Sequence, residues 1–133
     1  MIVVDTNVIG YLFLSSEESL LAEHALQKDS EWAAPILWRS ELRNVLTLYV
    51  RKNLITLEQA QRIMNDALEL LRGREYGVSS YEVLRLASGS NCSAYDCEFI
   101  ATANDLEVPL VTVDRQLLRE FPTVAVSLKS FSE

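Results

Sequence analysis

Short apolar runs of strand length alternate along the chain with longer segments in which apolar residues recur every three or four positions. Residues 1–4 are an uninterrupted apolar run, residues 110–113 are apolar except for Thr112, and residues 124–128 are apolar except for Ser127. Such runs predict buried strands. Residues 32–34 form a further run, which is either a strand or the approach to Pro35, a residue that suits the first turn of a helix.

The segments between these strands predict helices. Thr56 and Gln59 have the spacing of a capping box, and Ser93 is the expected cap of a later helix. The predicted helices cover residues 17–28, 35–52, 56–73, 80–87 and 94–106, with a small strand at 77–79. Because strands alternate with helices, the pattern favours a parallel sheet that is covered on both faces.

The composition is that of one globular domain over residues 1–133, with 49% hydrophobic and 23% charged residues. Asp5 interrupts the apolar start, and the uncharged run 6–16 is too short to cross a bilayer. We therefore expect a soluble cytoplasmic protein without a membrane segment. Cys92 and Cys97 lack the spacing of a redox pair or a zinc site, so free thiols are expected.

Four acidic residues occupy informative positions. Two apolar runs lead directly into Asp5 and Asp114, and the carboxyl ends of parallel strands meet at one edge of a sheet. Glu41 and Asp96 stand where helical spacing favours an apolar residue. Two carboxylates about 4 Å apart repel by roughly 4 kcal/mol at an effective dielectric near 20, so a convergent set needs a cation. Carboxylates alone suit Mg²⁺ or Mn²⁺, as one or two ions.

Each acid also has a plainer interpretation. Asp5 and Asp114 could cap the helices that follow them, and Asp96, three residues after Ser93, could favour the helix dipole. Glu41 is harder to explain in this way. It falls within the predicted apolar stripe of its helix, formed by Leu37, Trp38, Val45, Leu48 and Tyr49.

The charge distribution bears on possible partners. The net charge of −7 argues against a polyanionic partner, yet residues 39–74 contain seven basic residues against four acids. This stretch is either a flank that holds phosphates or an ordinary solvated helix face. Arg39 and Arg43 are the candidate contact residues within it. His24 is expected to be a surface residue, and the expected core or interface aromatic residues are Tyr11, Phe13, Trp38 and Tyr49.

Four sequence segments resemble the motifs of the PIN-domain ribonucleases. They are VVDTNVI, PILWRSELRNVL, SAYDCEFIATA and LVTVDRQLL, in this order. The small single-domain size is similar to that of the VapC-type toxins of bacterial toxin-antitoxin pairs. The resemblance implies a three-layer α/β/α sandwich around a central, mainly parallel sheet. It also implies that one or two divalent ions are held by Asp5, Glu41, Asp96 and Asp114.

The same resemblance implies further roles. Asn7 and Thr112 match polar positions that support the carboxylates or the attacking water. Alanine is common where this chain has Cys97, and the following Glu98 lies on another helical face and is not an expected ligand. An RNA substrate, an antitoxin whose tail wraps the catalytic groove, and toxin dimers are the implied partners. Arg39 and Arg43 then become candidate contacts for RNA or for a protein partner.

The resulting hypothesis is a divalent-metal-dependent endoribonuclease, the toxin of a toxin-antitoxin module, that hydrolyses RNA phosphodiesters through metal-activated water. A non-catalytic binding module with the same fold is an alternative, although no acid is missing. An aspartyl-phosphate phosphatase is a second alternative. It would require an Asp where this chain has Asn7, and a late lysine in a stretch where none occurs between Lys52 and Lys129.

Overall fold

A five-stranded, entirely parallel sheet forms the centre of the computed structural model, which describes all residues 1–133. The spatial order of the strands is β3-β2-β1-β4-β5, and all four pairings are parallel. The strands are β1 (Ile2–Val4), β2 (Trp32–Pro35), β3 (Glu75–Tyr76), β4 (Leu110–Thr112) and β5 (Ala125–Ser127).

Eight helices accompany the sheet. They are α1 (Thr6–Phe13), α2 (Ser19–Lys28), α3 (Trp38–Arg51), α4 (Leu57–Leu70), α5 (Ser80–Ser88), α6 (Ala94–Leu106), α7 (Arg115–Glu120) and α8 (Leu128–Ser132). The capping box of Thr56 and Gln59 and the cap at Ser93 are present as predicted. The periodicity of apolar residues did not predict α1, α7 or α8, although the capping alternative for Asp5 and Asp114 placed helices where α1 and α7 lie. None of the helices is both long and apolar enough to cross a bilayer.

The core lies on both sides of the central strands. Every residue of β1 and β4 is buried, which requires cover on both faces of a parallel sheet. α6 packs against β1 and β2, whereas α8 packs against β4 and β5. The result is the three-layer α/β/α sandwich that was expected. Both cysteines are buried free thiols, and His24 is exposed, as the sequence predicted.

The strand alternative for residues 32–34 is confirmed by β2, whereas the helix start at Pro35 and the position of the small strand need correction. Pro35 does not begin a helix, because it is the last residue of β2. A proline is tolerated there because the N–H groups that bond to β3 belong to the residues on either side, Ala34 and Ile36. The small strand predicted at 77–79 lies instead at Glu75–Tyr76, where it pairs with the end of β2.

The apolar stripe of α3 is displaced from the predicted one. Its buried residues are Trp38, Leu42 and Leu46, whereas Leu48 is 43% exposed. Glu41 therefore stands beside the buried row and not within it. This position explains how an acid is accommodated on the helix, because its carboxylate can reach the solvent-accessible side of α3.

A polar cluster fastens the start of α3 to the edge of the sheet. The Trp38 indole Nε1–H donates to Glu75 Oε2 at 2.7 Å, and Arg39 donates to both oxygens of Glu75 at 2.6 Å. Arg39 holds the pKa of Glu75 below its usual value, against the effect of burial and with help from Trp38. The Arg39 guanidinium is thus already bound within the protein, which weakens its candidacy as an RNA contact.

Glu75→Gln should lower the free energy of unfolding near neutral pH by about 1 to 2 kcal/mol, because the buried Trp38 N–H and Arg39 would keep only a neutral acceptor. A carboxylate whose pKa is lower in the folded than in the unfolded protein stabilises the folded state at pH values above its unfolded-state pKa. That contribution is lost as the pH falls through the folded-state pKa. Urea unfolding should therefore show wild type and variant converging between about pH 5 and about pH 3.

Glu82→Gln is the matched control for this substitution. Glu82 also pairs with an arginine, Arg85, but on the exposed surface of α5, where such a pair contributes little. The control should lose much less stability than Glu75→Gln, because the exposed pair and the position of Glu82 in the first turn of α5 contribute only weakly. A difference between Glu75→Gln and wild type that stays constant down to acid pH would contradict the assigned role of the Glu75 charge.

Candidate active site

One cavity of about 420 Å³ brings together the four acids singled out from the sequence. Asp5 follows β1, Asp114 follows β4, and the other two acids come from α3 and α6. No lysine or arginine lines the cavity. Its lining residues are Asp5, Thr6, Asn7, Leu37, Ser40, Glu41, Asn44, Val45, Tyr95, Asp96, Phe99, Asp114 and Leu117.

Asp5 is the most buried of the four carboxylates, and both of its oxygens accept hydrogen bonds. Oδ1 accepts from the Val8 N–H at 3.0 Å and thereby caps α1. Oδ2 accepts from the Thr112 hydroxyl and from the Val113 N–H. Burial raises the pKa of Asp5 to about 6, against these hydrogen bonds and with a further contribution from the charge of Asp114.

Asp114 repeats this capping arrangement at the next strand. Its Oδ1 accepts from the Leu117 N–H at 2.9 Å and caps α7. Its own backbone N–H donates to the Thr112 hydroxyl at 3.0 Å. The capping alternative is therefore correct for both strand-end aspartates. Capping occupies one oxygen of each, so it does not prevent Asp114 from offering its second oxygen to a ligand.

Glu41 is oriented by Thr6, which sequence reasoning missed. The Thr6 hydroxyl donates to Glu41 Oε1 at 2.7 Å, although the two residues are 35 positions apart. Burial raises the pKa of Glu41, opposed by this hydrogen bond and assisted by the charges of Asp96 and Glu98. The only signal in the sequence was a hydroxyl directly after Asp5, and its partner could not be read from the spacing.

Asp96 lies in the first turn of α6, where its backbone N–H donates to the Ser93 hydroxyl at 3.0 Å. Burial raises the pKa of the Asp96 carboxyl, and the charge of Asp114 adds to that effect. Glu98 does not line the cavity, in agreement with its predicted position on another face. Asn7 lines the cavity and is exposed.

Arg43 lies outside the acidic cavity. It lines a separate, mainly apolar groove of about 600 Å³ between α3 and α4, together with Leu46, Leu57 and Met64. Neither candidate arginine is therefore part of the site, since Arg39 is held by Glu75.

The donor set fits a hydrated divalent ion. The charges of Asp114 and Asp96 disfavour ionisation of neighbouring carboxyls, and no basic side chain lines the cavity to compensate. No three His, Cys, Asp or Glu side chains are arranged to hold an ion by themselves. Mg²⁺ commonly keeps several waters and binds through one or two carboxylates, so a dispersed set of oxygens matches its preference.

Comparison with known proteins identifies the family of the chain. The PIN domain family profile matches residues 2–122. The chain belongs to the PIN-domain family. This PIN domain is 30% identical over 128 residues to Ribonuclease VapC3 of Pyrobaculum aerophilum. The alignment covers 92% of this chain and 96% of that relative. The family and fold expected from the four sequence segments are thus confirmed.

Solved structures share the fold of this PIN domain. PAE2754 from Pyrobaculum aerophilum superposes with a TM-score of 0.78 and 21% identity, covering 98% of this chain and 92% of that one. FitAcB from Neisseria gonorrhoeae superposes with a TM-score of 0.76 and 19% identity, covering 97% of this chain and 99% of that one. A toxin-antitoxin complex from Klebsiella pneumoniae superposes with a TM-score of 0.73 and 20% identity, covering 96% of this chain and 98% of that one.

Thr112→Val should destabilise the metal-free protein by about 1 to 3 kcal/mol, because the Asp5 carboxylate would lose a donor and the Asp114 N–H its acceptor. Urea unfolding in EDTA measures the loss. Thr112→Ser keeps the hydroxyl and should recover most of it. Thr102→Val is the control, since Thr102 is equally buried but donates to a helix carbonyl, that of Glu98. Equal losses for the two valine variants would contradict the bridging role of Thr112.

Proposed function

We propose that this PIN domain is a divalent-metal-dependent endoribonuclease that hydrolyses RNA phosphodiesters through metal-activated water. We further propose that it acts in the cytoplasm as the toxin of a toxin-antitoxin pair. The observation that carries the proposal is the convergence of four carboxylates, from two strand ends and two helices, on a cavity without a basic side chain. Similarity to a ribonuclease over nearly the whole chain supports RNA as the substrate.

In this proposal Asp5, Glu41, Asp96 and Asp114 hold one or two Mg²⁺ or Mn²⁺ ions. When bound there, such an ion would supply a water of lowered pKa and positive charge for the phosphate. The chain supplies the geometry. Thr112 fixes Asp5 relative to β4, and Thr6 fixes one oxygen of Glu41.

The hydrogen bonds also distinguish the acids by role. Asp5 is the most firmly oriented of the four, because Oδ2 accepts two hydrogen bonds and Oδ1 accepts one, which leaves Oδ1 a lone pair for the ion. Glu41 and Asp114 each bond through one oxygen and keep the other free. A proton released from the attacking water is therefore better accepted by Glu41, Asp96 or Asp114 than by Asp5. Asn7, at the exposed rim, is suited to orienting water or substrate by its amide.

The proposed partners are the RNA substrate, a cognate antitoxin and a second copy of the chain. Among the structures that share the fold, one is a toxin-antitoxin complex from Klebsiella pneumoniae, and another is VapBC2 from Rickettsia felis bound to a DNA fragment from its promoter. Arg43 borders an apolar groove, which suits contact with a protein more than contact with RNA.

Cleavage of a fluorescent single-stranded RNA by the purified chain tests the proposal. The wild type should cleave with Mn²⁺ or Mg²⁺ and be inactive in EDTA. Asp96→Asn should lose more activity than the roughly 10- to 100-fold expected for an outer-shell residue. Asp105→Asn is the matched control, because it makes the same change at an exposed position on the same helix, and it should keep full activity.

Thermal unfolding gives a second readout in the same experiment. An ion that binds only the folded state raises Tm by mass action, so Mn²⁺ should stabilise the wild type and Asp105→Asn but have much less effect on Asp96→Asn. Equal shifts in all three proteins would place the ion elsewhere. RNA binding without cleavage under any metal condition would instead favour a non-catalytic binding module.

The acidic cavity also predicts competition between metal and inhibitor. An Arg or Lys from an antitoxin tail could replace the ion's charge among the carboxylates and be held by charge-assisted hydrogen bonds. We expect excess Mn²⁺ to weaken binding of the cognate antitoxin. Removing the basic residue of its tail should abolish the metal dependence while keeping the apolar contacts. Titrations in which the two affinities are independent would contradict this prediction.

A further inference from the structure

Tyr95 places an exposed aromatic ring at the acidic cavity. It lies in the first turn of α6, directly before Asp96, and is 66% exposed while lining the cavity. The aromatic residues considered from the sequence do not line this cavity, and Tyr11, Trp38 and Tyr49 belong to the core or pack against it. Tyr95 therefore has a different environment from the other aromatic residues discussed above.

Because the cavity is acidic, an uncharged side chain is the kind of contact that it can offer to RNA. Nucleic-acid binding usually draws most of its affinity from lysine and arginine contacts to phosphates, but none of these residues lines this cavity. Ions held by the four carboxylates would compensate charge there, and no lysine or arginine lining the cavity would be left to contact the neighbouring nucleotide. An aromatic ring can hold that nucleotide through its base, because stacking requires no charge on the protein.

We propose that Tyr95 forms a nucleobase subsite, in which an unpaired base next to the scissile phosphate stacks on its ring. This inference rests on the proposed ribonuclease function and names the form of RNA that the site accepts. A base can reach an exposed ring only when it is unstacked and splayed from its strand, so the subsite selects single strands and loops over duplexes. Tyr95 is a positioning residue, since no role at the reacting atoms is assigned to it.

Steady-state cleavage of single-stranded RNA with Mn²⁺ tests the subsite. Tyr95→Ala should raise KM by roughly 5- to 150-fold, the effect expected for losing one stacked base, and leave kcat nearly unchanged. Tyr95→Phe should behave like the wild type, and Tyr95→Leu should resemble the alanine variant. Tyr81→Ala is the matched control, because Tyr81 is 73% exposed on α5 but does not line the cavity.

An abasic substrate separates stacking from a general surface effect. Removing the contacted base should weaken the wild type and abolish the difference between wild type and Tyr95→Ala, because the two changes remove the same interaction. Equal KM values for Tyr95→Ala and Tyr81→Ala on the intact RNA would overturn the subsite. So would a Tyr95→Ala defect of the same size on abasic RNA at every position.

A binding measurement keeps this inference distinct from the proposed function. RNA that carries 2-aminopurine reports stacking by its fluorescence, whether or not the RNA is cleaved. If the wild type does not cleave RNA with any divalent ion, the proposed function fails, and the fluorescence with Mn²⁺ still decides the subsite. A change present in the wild type and Tyr95→Phe but absent in Tyr95→Ala supports it. A change that is absent from the wild type or persists in Tyr95→Ala overturns it.

Discussion

The buried carboxylate of Asp5 is the interaction on which the arrangement of this end of the sheet depends. One oxygen caps α1, and the other accepts from a hydroxyl and a backbone N–H at the end of β4. A single side chain thus ties together β1, α1 and β4. Because burial raises its pKa to about 6, the fold keeps this group in a position where ionisation is costly. The negative charge of the four carboxylates is not compensated by a basic side chain, and a divalent ion can therefore bind favourably there.

The hydroxyl groups of two threonines orient the carboxylates that surround Asp5. Thr112 connects Asp5 with the backbone of Asp114, and Thr6 fixes Glu41. The threonines satisfy selected oxygens and leave others free, so the protein determines which lone pairs a ligand can use. Thr112 is the last residue of β4 and Thr6 is the first residue of α1, two positions after β1 ends, so the orientation of the carboxylates follows from the parallel sheet.

The features predicted from the sequence are those that local patterns specify. Apolar runs identified β1 and β4, and the strand-end acids followed from their position. Prediction failed where the outcome depends on distant partners. Arg39 is held by Glu75, 36 residues away, and Thr6 finds Glu41 across 35 positions. Helix α1 was missed because a short, uncharged and mainly apolar segment does not distinguish a buried helix from a strand. The exposure of Tyr95 is set by tertiary packing.

The edges of the sheet limit how another chain can associate with it. One edge is β3, a strand of only two residues, and the other is β5, which has three residues and leads directly into α8. Short edge strands offer few free backbone groups for pairing. An inhibitor or a second copy therefore has little opportunity to add a strand by β-augmentation. Such a partner is recognised instead through side chains on the helices and in the cavities. These side chains can vary in sequence, so related toxins can differ in the partner that they bind.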